Sequence, residues 1–188
     1  MNYSTIKTFD ISNGIGVRTS IFLSGCSIHC RGCFNHEAWS YDYGTLFTQA
    51  TIDYILETLN SDNIAGLSIL GGEPLDPRNR FGVFQLIQAV KTTYPDKDIW
   101  LWTGYLWDDL FDAIVTEKDP NAVLLNILGN VDIIVDGPFD ENQQEVGLRF
   151  RGSANQRILD ARASFEAQVP VLWHDDPLFD YHDWRAHA

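Results

Sequence analysis

The sequence predicts an α/β fold with a mostly parallel sheet, and three observations carry that expectation. Segments of strand and helix character alternate along the chain. The strand segments are continuous apolar runs, the pattern of strands covered by helices in a parallel sheet. Glycine or small polar residues close these runs at Gly25, Gly71 and Gly72, Thr103 and Gly104, and Asp136 and Gly137. In α/β folds such strand ends are where ligands bind.

The elements follow in order. Asn13 and Gly14 read as a hairpin turn. "VRTSIFLSG" (Val17–Gly25) is β-branched and apolar and reads as a buried strand. "TQATIDYILETLN" (Thr48–Asn60) places Ile52, Ile55, Leu56 and Leu59 at helical spacing. "GLSILGGEP" (Gly66–Pro74) is a short apolar run ending in a glycine pair, hence a strand and a tight loop. "FGVFQLIQAVKTTY" (Phe81–Tyr94) gathers Val83, Leu86, Ile87 and Val90 on one helix face. "DIWLWTG" (Asp98–Gly104) reads as a strand whose alternating Trp100 and Trp102 are core residues. "LWDDLFDAIV" (Leu106–Val115) reads as a short helix, and "VDIIVDGPF" (Val131–Phe139) and "QRILDA" (Gln156–Ala161) read as further strands. The chain is expected to form a single domain over 1–188, with a divergent acidic and aromatic tail over about 170–188.

Composition narrows the function. Hydrophobic residues make up 45% of 188 residues, enough for a buried core. The formal net charge of −13 repels phosphate backbones and argues against nucleic-acid binding. No apolar run is long enough to span a membrane, and the opening "MNYSTIKTFD" lacks the basic and apolar regions of a signal peptide. A cytoplasmic protein is therefore expected, where thiols stay reduced. Positive charge gathers in "GLRFRGSANQRILDARA", at Arg149, Arg151, Arg157 and Arg162. That stretch reads either as a solvated, charge-balanced segment or as a docking or anion-binding one.

All three cysteines, Cys26, Cys30 and Cys33, fall in "GCSIHCRGCFN" with C-x3-C-x2-C spacing. A structural zinc site wants four ligands, usually from two separated knuckles; here His29 or His36 would have to complete one. A redox pair of Cys30 and Cys33 leaves Cys26 unexplained. An iron–sulfur cluster accounts for all three. Thiolates are its normal ligands, and three of them hold three corners of a [4Fe–4S] cube while the fourth iron stays open to a small molecule.

With the Gly71-Gly72-Glu73-Pro74 run one helix and one strand later, and an aromatic at Phe34, the loop resembles the signature of the radical S-adenosylmethionine enzymes. "DISNGIGVRTSIFLSGC", "KDIWLWTGY", "VDIIVDGPF" and "RGSANQ" extend the resemblance over roughly residues 1–160, toward the glycyl-radical activases of the anaerobic ribonucleoside-triphosphate reductase. Phe34 stands where many members carry tyrosine, and Pro138 where a basic residue often sits.

The resemblance implies a partial (β/α) barrel of the radical-SAM type. It implies a [4Fe–4S] cluster on Cys26, Cys30 and Cys33, which with S-adenosyl-L-methionine are the catalytic set. Gly32, Cys33 and Phe34 would contact the adenine, while Gly71, Gly72 and Glu73 would hold the methionine end, Glu73 accepting from the ammonium group. Thr103 reads equally as a cofactor contact or a strand-capping hydroxyl, and Asp136 as a strand-end turn residue or a site residue. The implied reaction is reductive cleavage of the cofactor to methionine and a 5′-deoxyadenosyl radical. That radical takes hydrogen from a glycine in the reductase large subunit, with flavodoxin as an electron donor. Two other readings are a radical enzyme with a different substrate, of the pyruvate formate-lyase activase or deazapurine synthase type, and a zinc- or cluster-bearing interaction module.

Overall fold

The computed structural model describes residues 1–116 and 122–174. The expected tail lies outside the described residues from position 175 onward, with His182 and His187. The strands are β1 (Asn2–Asp10), β2 (Val17–Ser24), β3 (Thr45–Leu46), β4 (Ile64–Gly71), β5 (Asp98–Trp102), β6 (Ile133–Asp136) and β7 (Arg157–Asp160). The helices are α1 (Gln49–Leu59), α2 (Arg80–Thr93), α3 (Trp107–Val115), α4 (Val123–Leu128) and α5 (Ala161–Ala167). None is long and apolar enough to cross a membrane.

One seven-stranded sheet runs β3-β1-β2-β4-β5-β6-β7. The neighbours β2–β4, β4–β5 and β5–β6 are parallel, each joined through helices. The flanks are antiparallel, so the expected mostly parallel pairing is found in the middle of the sheet. The cause is the connections. Residues 11–16 turn β1 straight back into β2 as a hairpin that includes Asn13 and Gly14, and no crossover helix separates β6 from β7.

Strand alternation sends two sets of side chains to opposite faces. Ile21, Leu23, Leu67, Ile69, Ile99, Leu101 and Ile134 join Ile55, Leu59, Leu86, Ile87, Val90 and Trp107 from the helices in the main core. Among the described residues no helix contributes to the apolar cluster on the other face. That face is crossed by the register row Ser20, Ser68, Trp100 and Ile133 and packed with Trp102, Phe150, Ile158 and Trp173. Near its lower edge the fully buried Arg18 donates to Ser68 Oγ (2.7 Å), Asp98 Oδ1 (2.8 Å) and the Leu67 carbonyl (2.9 Å). Trp100 is core, as expected; Trp102 is only half-buried and donates from Nε1 to the Phe150 carbonyl at 2.6 Å.

Candidate functional site

The cysteine loop leaves β2 at Gly25, whose φ is +90°; a Cβ there would lie 2.2 Å from the Tyr41 ring. The returning chain is stitched to its root, with Gly25 N–H donating to the Ala38 carbonyl (2.8 Å) and Cys26 N–H to the Trp39 carbonyl (3.1 Å). Within the loop, Cys33 N–H donates to the Cys30 carbonyl at 3.2 Å, and the His29 ring stacks on Trp39 at 4.6 Å.

Cys26, Cys30 and Cys33 line one cavity of about 420 Å³, and Gly71, Gly72, Glu73, Thr103, Gly104 and Gly137 line it too. The carboxyl ends of all four parallel strands thus open onto one space, as the strand-end residues predict. The volume suits a small-molecule ligand.

Gly72 N–H donates to the Leu23 carbonyl (2.7 Å) and Glu73 N–H to the Gly25 carbonyl (2.8 Å), so the turn after β4 stays zipped to the root of the cysteine loop. The chain itself requires glycine at both positions. A Cβ on Gly71 would stand 2.4 Å from Leu23 N, and one on Gly72 would stand 2.5 Å from the Gly25 carbonyl oxygen. The close approach is to the chain's own backbone.

Glu73 is 1% exposed. Its Oε1 accepts from Leu75 N–H (2.9 Å) and Thr103 Oγ1 (2.7 Å), and its Oε2 from Gly104 N–H (2.7 Å). One lone pair of Oε2 remains for a ligand. Burial pushes its carboxyl up to about 7, against those three donors. Two residues just beyond the turn, absent from the sequence reading, brace it. Asn79 Nδ2 donates to the carbonyls of Ser24, Gly25 and Glu73, each at 3.0 Å. Asp76 accepts from Ser27 Oγ and Tyr41 Oη, both at 2.7 Å, and from Arg78 N–H at 2.9 Å. Their place in "GGEPLDPRN" was the available signal, since Asp and Asn after a tight turn commonly bond to nearby backbone.

The remaining predicted residues separate. Phe34 is 86% exposed on the rim, and Gly32 is held at φ +73° beside Glu141. Asp136 is a structural residue, outside the cavity lining. It accepts from Trp107 N–H (2.8 Å) at the start of α3 and pairs with Arg157.

The donors at the cavity are thiols. Burial pushes the Cys26 thiol up; Cys30 shifts the same way, although the Phe139 N–H favours its thiolate. Such sulfurs ionise readily only beside a strongly cationic group. Among the described residues no three His, Cys, Asp or Glu side chains converge as they would around a single ion. Three thiols lining one cavity fit a multi-iron group with one thiolate per iron.

The chain belongs to the 4Fe-4S single cluster domain family, whose model matches residues 12–159. More particularly, it is similar to proteins named anaerobic ribonucleoside-triphosphate reductase-activating protein. That of Vibrio cholerae serotype O1 is 43% identical over 160 residues, covering 84% of this chain and 97% of the relative. Those of Enterobacteria phage T4 and Escherichia coli K12 are 39% and 38% identical, each over 84% of this chain and over 93% and 97% of the relative.

Proposed function

We propose that this protein is a radical S-adenosylmethionine enzyme that activates an anaerobic ribonucleoside-triphosphate reductase by installing a glycyl radical in its large subunit. One observation carries the reading: Cys26, Cys30 and Cys33 share a cavity with the Gly71-Gly72-Glu73 turn. The names of its relatives favour this protein substrate over pyruvate formate-lyase or a small molecule.

Cys26, Cys30 and Cys33 hold the [4Fe–4S] cluster. Gly32, Cys33 and Phe34 meet the nucleoside end of S-adenosylmethionine; Gly71, Gly72 and the remaining lone pair of Glu73 Oε2 meet its methionine end. When bound, the reduced cluster and S-adenosylmethionine together supply a 5′-deoxyadenosyl radical, which takes hydrogen from a glycine Cα of the partner. The protein's part is to hold the two groups in register. The zipped contacts of Gly72, Glu73 and Asn79 keep the cysteine loop and the glycine turn from moving apart. The open sheet, in this reading a partial barrel of the radical-SAM type, leaves the cavity accessible to a loop of a large protein. We place the single-domain protein in the cytoplasm, with a flavodoxin-type electron donor.

The test is anaerobic reconstitution with iron and sulfide, reduction, and electron paramagnetic resonance with and without S-adenosylmethionine. A [4Fe–4S] signal that changes on adding the cofactor, with 5′-deoxyadenosine formed, is expected. A cluster indifferent to the cofactor would return the protein to the interaction-module reading.

A further inference from the structure

Reductive cleavage of the cofactor consumes an electron from outside, and that electron must reach the cluster while the cavity stays open to the cofactor and the partner glycine. The carrier therefore needs a face beside the cysteine loop and outside the cavity. A flavodoxin-type carrier is acidic, and this chain has a formal net charge of −13, so the two repel unless the contact is locally basic. Most cations are already engaged within the fold. Arg31, Lys91, Arg157 and Arg162 each pair with a carboxylate, and the buried Arg18 pairs with Asp98. The other two arginines of the arginine-rich stretch are engaged as well, Arg149 over the Phe150 ring and Arg151 with the Gln156 carbonyl.

Arg78 and Arg80 differ. They flank Asn79 where α2 begins, and neither makes an ion pair among the described residues. Arg78 is exposed, and its guanidinium lies over the Tyr41 ring at 4.4 Å. Tyr41 packs against Gly25, the residue before Cys26, and shares Asp76 with Ser27, the residue after it. The patch thus sits on the root of the cysteine loop. Asp76 feels the Arg78 charge, but it is buried and its oxygens are taken by Tyr41, Ser27 and the Arg78 N–H. Helix stability does not account for the two arginines. Cations at this end oppose the helix dipole, and the first turn of α2 holds no carboxylate to offset them. Phe81, next in the chain, is 58% exposed and adds an apolar contact. None of the three lines the cavity, so a protein seated on them need not enter it.

We infer that Arg78 and Arg80 form the docking site of the acidic electron carrier, which delivers its electron to the cluster at the root of the cysteine loop; this rests on the radical S-adenosylmethionine reading above. In that step the carrier's flavin hydroquinone anion is oxidised to the neutral semiquinone, the oxidised cluster takes up that one electron, and no proton moves.

The experiment uses the cluster-reconstituted protein under anaerobic conditions. Its probes are a bacterial flavodoxin and photoreduced 5-deazariboflavin, a small uncharged reductant. Stopped-flow absorbance follows cluster reduction by flavodoxin hydroquinone, and calorimetry gives the Kd for oxidised flavodoxin. The double variant Arg78→Gln/Arg80→Gln is expected to slow that reduction and to raise that Kd, each about tenfold or more at low ionic strength, with the difference shrinking at high salt. Its iron content and its full reduction by deazariboflavin should match the wild type. Arg78→Lys/Arg80→Lys keeps both charges and should stay within about threefold of wild type. Arg31→Gln/Arg162→Gln removes the same net charge from ion-paired arginines and should also stay within about threefold. Equal slowing in that control would mean that net charge alone matters, and a Lys pair as slow as the Gln pair would mean that charge does not. A Gln pair that has lost iron would make the arginines structural. A Gln pair that binds the reductase large subunit less tightly, while flavodoxin reduces it normally, would give the face to the protein substrate. Each of these overturns the inference. A wild type that deazariboflavin cannot reduce removes the cluster reading together with the inference. A wild type that deazariboflavin reduces, but flavodoxin reduces no faster than the Gln pair, removes the inference alone.

Discussion

Thr103 Oγ1 donates to Glu73 Oε1 at 2.7 Å, and both side chains are buried. The bond ties the loop after β5 to the turn after β4, so Thr103 serves the site by holding Glu73. Thr103→Val keeps the shape and removes the donor. It should cost about 1–2 kcal/mol in urea unfolding, the range for stranding a buried partner, and Thr103→Ser should restore most of it. A Thr103→Val protein as stable as wild type would show that the bond carries no net weight.

Glu73 makes stability depend on pH. Burial raises its folded-state value from 4.5 to about 7, so the folded protein binds this proton more tightly than the unfolded chain. The stabilisation is full below about 4.5 and is lost as pH rises toward about 7, where it levels off. Against Glu73→Gln, which does not titrate, the cluster-free wild type should lose on the order of 3 kcal/mol across that window. The readout is the pH slope of the difference between the two proteins, which cancels whatever the amide costs at every pH. A flat difference would mean that Glu73 stays ionised throughout.

Gly72 tests what the glycine pair is for. Its Cβ would meet a backbone carbonyl, that of Gly25, at 2.5 Å, and no rotamer change relieves that. Gly72→Ala should therefore lower stability by about 1–3 kcal/mol even without iron or cofactor, read as a fall in the thermal midpoint. A variant of wild-type stability that has lost only cofactor binding would restore the idea that the ligand demands the glycine.

The middle of the sheet is legible in the sequence because β2, β4, β5 and β6 are continuous apolar runs with small residues at their ends. The site is legible because its metal-binding loop is local, three cysteines within one turn of chain. What escapes is long-range. β1, "NYSTIKTFD", pairs with β2 yet spends Thr5, Lys7 and Phe9 on solvent, so its sequence shows no apolar run. Arg18 sits in a strand that reads as buried, and Asp98, its partner 80 residues on, is invisible to local pattern. α4 and α5 are short enough that tertiary packing, not periodicity, defines them.

Asp76 should behave as the latch of the cysteine loop. Burial alone would raise its carboxyl, but the Arg78 N–H and the hydroxyls of Tyr41 and Ser27 outweigh burial and hold it below the usual 3.8. The same contact, after burial, pushes Tyr41 up to about 12. Asp76→Ala strands three donors and should cost about 2–3 kcal/mol, while Tyr41→Phe removes one bond and should cost about 1 kcal/mol. Because the two share that bond, the double variant should be little worse than Asp76→Ala alone. Strict additivity in a double-mutant cycle would deny the coupling.

Cys30→Ala separates ligation from folding. Cys30 is half-buried and lies outside the two apolar clusters. The bond it makes to the loop, from Cys33 N–H to its carbonyl, belongs to the backbone and survives the change. The cluster-free variant should therefore unfold within about 0.5 kcal/mol of wild type. Reconstitution should behave otherwise, because removing one of three thiolates leaves an iron corner without its ligand, and among the described residues no nearby His, Asp or Glu completes a metal-binding group. Bound iron should fall to background and no 5′-deoxyadenosine should form. Full iron content and full cofactor cleavage in Cys30→Ala would place the cluster's ligands elsewhere; loss of iron together with loss of fold would make Cys30 a structural residue.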